Sequence, residues 1–413
     1  MAEAKRIDVP RFTTARVSHP WLVRGMNRVG RVLPMRRLDP DRIWADAIAK
    51  EGGDAAPSRA VREALAVLVD DLERNVDFTA LGRFSALDDT LRLARTHLRI
   101  ERALAAAPEI LDTELPPPVF IIGWARTGTT FLHQLLAQDP ANRTMPYWES
   151  FDPVPPGPGE PDRRAARLDA MLGQLRFLAP GYDAIHPMTA DSPEECVALF
   201  MNVFRTHQFD FQYRVPGYAE WLRGQDARIA YDDYVRQLKL VVSARPAGRR
   251  FLLKDPTHIL HLETIRDVFP QAKFIFTHRD PAEAISSVGS LIAYTRALFT
   301  DDVDPAAIGR ELLEGYWPTA LEEARRFRGT LPSGHAVDVR HPALRADPIG
   351  TADRIYEALA LPFTEDARDG MTRFLEARGA SPGGRHHHAL ETLGLSREGL
   401  RDRFADYCEA VDV

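Results

Sequence analysis

Residues 119–138 constrain the fold of this chain more than any other part of the sequence. Residues 119–123 form a short apolar run that predicts a buried strand, and residues 128–138 are typical of a helix. The loop between them, residues 123–130, carries two glycines, Arg126 and three threonines. A turn of this kind gathers backbone N–H groups at a helix N-terminus, where the helix dipole also favours an anion. The segment therefore predicts an α/β unit with a phosphate-binding loop.

The same strand–helix alternation returns later in the chain. Further strands are predicted at residues 251–253, 273–277 and 336–339, and helices at residues 259–268, 282–290 and 348–360. Strands that alternate with helices predict a parallel sheet covered on both faces. We therefore expect an α/β fold, a three-layer sandwich with a central parallel sheet.

Two helical regions surround this pattern. Residues 1–115 repeat apolar positions at spacings of three and four, which predicts a helical N-terminal region without evident chemistry. Residues 116–413 form the second unit, and within it residues 160–245 predict a helical insert rich in aromatic side chains. Residues 191–196 are predicted to begin one helix of this insert, with Glu194 and Glu195 in its first turn.

Composition excludes several classes of protein. The net charge of −6 over 413 residues indicates no basic surface for nucleic acid or an acidic membrane. The start of the chain lacks the apolar core of a signal peptide, and no stretch predicts a transmembrane segment. Cys196 and Cys408 are the two cysteines, so we expect a reducing, cytoplasmic location.

The loop differs from the P-loop of nucleotide triphosphatases at one decisive position. In G-x-x-x-x-G-K-[ST] the lysine reaches the β- and γ-phosphates, and here Thr129 occupies that position. The substitution argues against ATP hydrolysis. A P-loop nucleotide phosphotransferase nevertheless stays open as an alternative.

A second candidate anion site follows the predicted strand at 273–277. Arg279 comes just after this strand, and Ser287 lies eight residues further along. Both side chains can face the crevice at the carboxyl edge of an open α/β sheet. They offer one charged and one neutral donor to a single phosphate.

These two motifs together resemble the nucleotide site of the sulfotransferases that use 3′-phosphoadenosine-5′-phosphosulfate (PAPS). Phe131 falls at the position of the adenine-stacking aromatic, and the residues that match the 5′-phosphosulfate loop are Arg126, Thr127, Gly128, Thr129 and Thr130. Arg126 occupies the position at which a lysine is the more familiar residue in the 5′-phosphosulfate loop of this family. Arg279 and Ser287 resemble the family's 3′-phosphate site. The resemblance covers residues 119–360 and implies a P-loop NTPase-like sulfotransferase fold.

A late basic stretch, residues 383–388, is loosely similar to the segment that closes the 3′-phosphate site in this family. The resemblance makes Arg385 a further cofactor-binding candidate. Three histidines, His386–His388, follow it, but consecutive residues seldom point at one ion. We expect no metal.

The candidate catalytic residues follow from the charge that develops on the leaving oxygen. Arg126 and Lys254 are the cations proposed to stabilise it. The resemblance supplies two candidate bases, His258 and Glu149, of which His258 is favoured because its ordinary pKa suits proton abstraction near neutral pH. His261 is expected to be a packing residue. Glu195 is a candidate for lining the acceptor pocket.

The resemblance implies transfer of a sulfuryl group from PAPS to a hydroxyl or amine, with 3′,5′-adenosine bisphosphate as product. The acceptor is expected to be a small molecule, a lipid or a carbohydrate, and a homo-oligomer is possible. A non-catalytic nucleotide-binding protein stays open as a second alternative.

Overall fold

A five-stranded parallel sheet organises the chain. The computed structural model describes residues 17, 19–30, 35–157, 159–180, 182, 187–246, 248–379 and 390–413. The strand order is β2-β3-β1-β4-β5. The strands are β1 (Pro118–Gly123), β2 (Asn142–Arg143), β3 (Arg250–Lys254), β4 (Lys273–His278) and β5 (Ala336–Arg340).

Helices precede, connect and follow these strands. Those before the sheet are α1 (Trp21–Gly30), α2 (Pro40–Glu51), α3 (Arg59–Asn75) and α4 (Ala80–Ala106). Those between β1 and β3 are α5 (Thr129–Leu136), α6 (Tyr147–Phe151), α7 (Arg164–Leu178), α8 (Val197–Met201), α9 (Gln208–Tyr213), α10 (Pro216–Arg223) and α11 (Ala227–Ala244). Those after β3 are α12 (Leu262–Val268), α13 (Pro281–Arg296), α14 (Pro305–Glu314), α15 (Trp317–Thr330), α16 (His341–Ala346), α17 (Pro348–Ala358), α18 (Glu365–Gly379), α19 (Arg397–Arg403) and α20 (Ala405–Val411).

Strand β1 is buried on both faces, which explains its continuous apolar sequence. Phe120 and Ile122 join the larger core, formed with the insert and the helices that follow β4. Val119 and Ile121 join a smaller core with α5, α17 and α18. Because successive side chains of a strand point to opposite faces, these two cores are the outer interfaces of a three-layer sandwich. The predicted α/β architecture is confirmed.

The helix predicted at residues 259–268 is divided in two. A 3-10 helix covers Pro256–Leu260, and α12 begins at Leu262. His261 lies between them with non-helical backbone angles, φ −135° and ψ 32°. Asp255 caps the first piece by accepting a hydrogen bond from the Thr257 backbone N–H at 2.8 Å.

The N-terminal helices pack on the insert rather than on the sheet. Leu65, Leu68 and Leu72 of α3 share a core with Phe204 and Phe209. These aromatic side chains of the insert therefore fill a core instead of lining an acceptor site. The boundary between residues 115 and 116 stays a prediction. In the part of the chain that the structure describes, no helix has the length and apolarity needed to cross a bilayer.

Candidate active site

The loop after β1 is tied to β4 by two threonines. Thr127 donates its Oγ1 hydrogen to the Trp124 carbonyl at 2.7 Å, and the same atom lies 2.7 Å from Thr277 Oγ1. Gly123 pairs with Thr277 in the sheet, and a Cβ on this glycine would lie 2.0 Å from Thr277 Oγ1. The close approach explains why glycine ends β1.

The loop backbone takes two left-handed conformations. Arg126 has φ 72° and Gly128 has φ 95°. Left-handed backbone at a non-glycine residue costs of order 1–3 kcal/mol and is concentrated at binding sites. Turns of this kind direct successive N–H groups into one concavity that suits an anion, here at the start of α5.

The second predicted motif meets the first. Arg126 Nε donates to Ser287 Oγ at 2.9 Å, and Arg279 Nη1 donates to the Arg126 carbonyl at 2.8 Å. Burial, followed by the charge of Arg279, lowers the pKa of Arg126. Arg126 forms no ion pair with any residue in the described ranges, whereas Arg279 pairs with Glu283 at 2.9 Å. Two neighbouring guanidinium groups that share a buried edge favour an anionic ligand.

Lys254 brings a third cation to the same edge from the end of β3. Its side chain is almost completely buried, and Nζ donates to Thr130 Oγ1 at 3.4 Å and to Glu195. Burial alone would lower the pKa of Lys254, but the charge of Glu195 raises it above its ordinary value. The ammonium group therefore stays protonated beside the loop.

Glu195, which accepts the hydrogen bond from Lys254, precedes helix α8 and does not belong to it. The prediction that Glu194 and Glu195 lie in the first turn of a helix is wrong, because α8 begins at Val197 and its first turn contains no acid. A hydrogen bond from the Cys196 backbone N–H to the Lys254 carbonyl, at 2.9 Å, holds this segment against β3. The Glu195 side chain is 20% exposed, so it can meet a ligand.

His258 lies in the aromatic core. Its side chain is fully buried, its Nδ1 is 2.7 Å from the Tyr231 hydroxyl, and the Phe120 ring lies 5.1 Å away. Burial lowers the pKa of His258 to about 3 and that of the neighbouring His261 to about 4. No hydrogen bond or ion pair among the described residues joins His258 to Lys254 or Arg126. The predicted base is thus a neutral imidazole inside the core.

Two arginines hold the carboxylate of Glu149. Arg245 donates to both carboxylate oxygens at 2.9 Å, and Arg143 Nη2 lies 2.8 Å from Oε2. Glu149 and Arg143 are each only a few per cent exposed. This arrangement is a buried ion pair with a second arginine at its rim.

The structure places two of the remaining predicted residues, Thr129 and Phe131, in different environments. Thr129 is buried at the first position of α5. The Phe131 ring packs 6.4 Å from Phe374, with the Arg378 guanidinium 5.2 Å from its centroid. Arg385 and His386–His388 fall outside the described residues.

His341 belongs to this edge although the sequence did not single it out. It directly follows β5, and its Cδ2 atom would lie 2.9 Å from a Cβ on Gly128. Burial, followed by the charge of Arg279, lowers the pKa of His341 to about 4. Its place two residues after the strand predicted at 336–339 was the signal that could have identified it, because the residues that follow parallel strands share one edge of the sheet.

Similarity to known proteins decides the family. A model of the sulfotransferase family matches residues 117–365 of this chain, a range that contains the loop, Lys254, Arg279 and Ser287. The chain belongs to the sulfotransferase family. The predictions of this family and of an enzyme that transfers a sulfuryl group are confirmed, and the phosphotransferase alternative is not supported.

Individual sulfotransferases resemble the chain over most of its length. An omega-hydroxy-beta-dihydromenaquinone-9 sulfotransferase of Mycobacterium bovis is 27% identical over 304 residues, which are 67% of this chain and 72% of the relative. A solved sulfotransferase of Mycobacterium tuberculosis is 30% identical with a TM-score of 0.77, covering 89% of this chain and 99% of that one. A sulfotransferase of Mycobacterium avium is 27% identical with a TM-score of 0.79, covering 90% and 96%.

Proposed function

We propose that this sulfotransferase uses PAPS and transfers its sulfuryl group to the hydroxyl of an apolar, lipid-like alcohol. The observation that carries the proposal is the meeting of two anion-binding motifs, through Arg126, Ser287 and Arg279, at the edge between β1 and β4. PAPS is a ligand with anionic groups at both its 5′ and 3′ positions. A site with two clustered arginines and no P-loop lysine suits it better than it suits a triphosphate.

In this proposal each of the two motifs binds a different part of PAPS. The left-handed loop backbone, Arg126 and the Thr129 and Thr130 hydroxyl groups would hold the 5′-phosphosulfate. Arg279 and Ser287 would hold the 3′-phosphate. Phe131 and Arg385 stay predictions as further nucleotide contacts.

Lys254 would stabilise the leaving group. Its ammonium lies beside Thr130 in the loop, and a cation at that place counters the charge that develops on the bridging oxygen. The acceptor oxygen forms a bond to sulfur while the bond from sulfur to the bridging oxygen breaks. The leaving 3′,5′-adenosine bisphosphate keeps that electron pair. In-line placement of the two oxygens is the main demand on the protein.

The proton of the acceptor hydroxyl would pass to Glu195. A general base must come within hydrogen-bond reach of the proton it removes. Glu195 contacts Lys254 and is partly exposed, whereas His258 is enclosed by aromatic rings and Glu149 by two arginines. We therefore propose Glu195 as the base in place of His258, which the sequence favoured, and of Glu149, the second candidate.

Two observations support an apolar alcohol as the acceptor: a cavity beside the insert and the substrate of a related sulfotransferase. A small cavity of about 30 Å³ lies between the insert and the segment after Lys254, and its lining includes Phe200, Leu222, Tyr231 and His261. This volume is far below that of a ligand pocket, so an apolar alcohol would have to widen the cavity, whose lining mixes apolar and polar groups. The Mycobacterium bovis relative acts on a hydroxylated dihydromenaquinone, which is such an alcohol.

A thermal-shift titration with 3′,5′-adenosine bisphosphate tests the nucleotide assignment. Ligand bound only by the native state raises its stability, by about 2.7 kcal/mol at a hundredfold excess over Kd. We expect a shift with the bisphosphate that exceeds those with 5′-AMP and with ATP–Mg²⁺. Arg279→Ala should abolish it. Arg325→Ala, which removes a surface arginine paired with Glu322, is the matched control and should leave it intact. A larger shift with ATP–Mg²⁺ would contradict the proposal.

The reducing cytoplasm is proposed as the location. Cys196 and Cys408 are both free thiols, and burial raises the pKa of Cys196 to about 12, which makes it inert. Oligomer formation stays a prediction.

A further inference from the structure

The most exposed apolar side chains of the described chain gather around α1. Trp21 is 76% exposed, and the other large apolar side chains that are more than half exposed are Leu22, Met26, Val29, Phe84 and Phe177. We call these six residues the α1 face. Scattered exposed apolar residues are ordinary in soluble proteins, but a cluster marks an interaction surface.

Specific contacts fix α1 against the protein and leave this face outward. The Asn27 side chain accepts a hydrogen bond from the Leu81 backbone N–H at 3.0 Å, and Val23 is buried beside it. Gly30 packs so closely on Ala80 that a Cβ would lie 2.3 Å from the alanine Cβ. Phe84 lies one helical turn beyond Ala80 on α4.

Phe177 extends the face on the other side of α1. It precedes Leu178, whose carbonyl oxygen lies 2.9 Å from His19 Nδ1, two residues before Trp21. The α1 face therefore takes its residues from α1 and from two helices, α4 and α7, whose backbones contact α1 or the residues just before it.

The charge on α1 is positive. Its ten residues contain two arginines and no acidic residue, although the whole chain has a net charge of −6. Arg24 and Arg28 are exposed on α1 itself, among the apolar side chains. A symmetric contact between two copies would bring like charges together, which disfavours a second copy as the partner.

We propose that the α1 face docks on a lipid bilayer with anionic headgroups. A helix that presents Trp and Leu together with Arg lies in the interfacial plane, with apolar side chains at the acyl boundary and cations at the phosphates. The net charge of −6 gave no sign of this surface, because the positive charge is confined to α1 and its neighbourhood in the sequence. The inference does not depend on the sulfuryl-transfer chemistry.

Sedimentation with vesicles tests the proposal. The full chain is mixed at low salt with vesicles of phosphatidylcholine alone or of phosphatidylcholine and phosphatidylglycerol at two to one. We expect binding to the anionic vesicles only. Trp21→Ser with Met26→Ser should lower the partition coefficient by at least about tenfold. Arg24→Gln with Arg28→Gln should lower it by roughly 30-fold, since each cation near an anionic surface contributes about fivefold.

Leu111→Ser is the matched control, because Leu111 is an exposed apolar residue five positions after the far end of α4, a helix of 27 residues and about 40 Å. It should leave the partition coefficient unchanged. All variants should keep the wild-type melting temperature, since every altered side chain is exposed.

Three results would overturn the proposal. They are absence of binding to anionic vesicles, equal loss in Leu111→Ser, or a lipid-free wild-type dimer that Trp21→Ser with Met26→Ser converts to a monomer. The last result would assign the α1 face to a second copy.

Discussion

Glu195 and Glu149 are both carboxylates paired with buried cations, yet their partners give them different roles. The partner of Glu195, Lys254, also reaches Thr130 in the loop, so the pair belongs to the edge where an anion would bind. The partners of Glu149, Arg143 and Arg245, engage both of its oxygens. Exposure adds to the distinction, since the Glu195 side chain is 20% exposed and that of Glu149 only 3%.

Glu195→Gln should lower kcat by about 10²–10⁴-fold, the usual contribution of a general base. The amide keeps the size of the side chain but cannot take the proton. Affinity for 3′,5′-adenosine bisphosphate should change little, whereas the melting temperature should fall because Lys254, 1% exposed, loses its charge partner. Steady-state kinetics of the folded variant, with titration of the bisphosphate, would separate the loss of turnover from the loss of stability. A His258→Ala variant that loses turnover at unchanged stability would instead return the imidazole to the role of base.

Glu149→Gln should act on stability. The change leaves Arg143 as an uncompensated charge, 1% exposed, and breaking a buried pair in this way costs about 3–5 kcal/mol. We expect the denaturant midpoint to fall, while kcat of the remaining folded enzyme stays near the wild-type value. A large loss of kcat without a change in midpoint would mean that Glu149 takes part in the chemistry.

How far the site follows from the sequence depends on whether a residue belongs to a local pattern. Arg126, Arg279 and Ser287 lie in short motifs next to predicted strands, and the structure brings them into contact. The surroundings of His258 depend on Tyr231, which lies 27 positions earlier in the chain. From the sequence, a residue that follows a strand can be placed at the edge of the sheet. Whether its side chain points toward solvent or into the core cannot be predicted in this way.

At the level of elements, the junction between β1 and its loop depends on Gly123. Gly123→Ala places a Cβ 2.0 Å from Thr277 Oγ1, so β1 and β4 must separate. We expect a loss of about 1–3 kcal/mol of unfolding free energy, together with loss of bisphosphate binding. Adding Thr277→Ala removes the clashing oxygen and should restore part of both, as measured by a double-mutant cycle.

The control for this substitution is another glycine with free space. Gly173 lies inside α7, and a Cβ there meets nothing within 4 Å. Gly173→Ala should therefore stabilise the protein by up to about 1 kcal/mol, from helix propensity. Equal destabilisation by both substitutions would show that the close approach of β1 and β4 is not what requires Gly123.

Strands with continuous apolar sequence were predictable, and short or interrupted elements were not. The predictions for β1, β3 and β4 fall within two residues of the observed bounds, because a strand buried on both faces has a distinct composition. The prediction for β5 is equally close, although Asp338 and Arg340 of this strand are exposed. Strand β2 has two residues and pairs only with β3, so no pattern could mark it. The division at His261 escaped prediction because it depends on one residue's backbone angles.

On the scale of the whole molecule, long-range packing determines which helices contact each other, and the hydrophobic pattern of the sequence does not. The helical character of both regions outside the sheet was predicted, but not that Leu65 and Leu72 of the N-terminal region would share a core with Phe204 of the insert. Amphipathic periodicity shows which face of a helix is buried and leaves its partner unspecified. The N-terminal helices thereby brace the insert, which in turn carries the proposed acceptor cavity.

Acid should destabilise this molecule at unusually mild pH because several histidines are buried. Burial lowers the pKa of five of them outside the nucleotide edge, to about 4 for His97 and His261 and to about 3 for the others, His133, His207 and His258. The unfolded chain binds protons at these histidines near pH 6.5 and the native chain does not, so stability is lost as the pH falls below about 6.5. Each contributes a loss of about 1 kcal/mol between pH 6 and pH 5.

Buried carboxyl groups oppose this loss in part. Burial, followed by the charge of Glu195, raises the pKa of Asp255 to about 7, and burial also raises the pKa of Asp210 and Asp233. A carboxyl group of this kind is protonated more readily in the native state, so it favours folding as the pH falls. With five histidines against three carboxyl groups, we expect a net fall of unfolding free energy between pH 6 and pH 5, measured by urea denaturation at each pH.

One substitution isolates the histidine contribution. Neither ring nitrogen of His97 has a hydrogen-bond partner within the described chain, and the ring packs 6.0 Å from Trp44. His97→Leu removes the group that must gain a proton on unfolding and leaves an apolar side chain in an apolar site. It should cut the loss between pH 6 and pH 5 by about 1 kcal/mol while changing stability at pH 8 much less. A pH slope identical to that of the wild type would place the acid sensitivity elsewhere, in the carboxylate ion pairs.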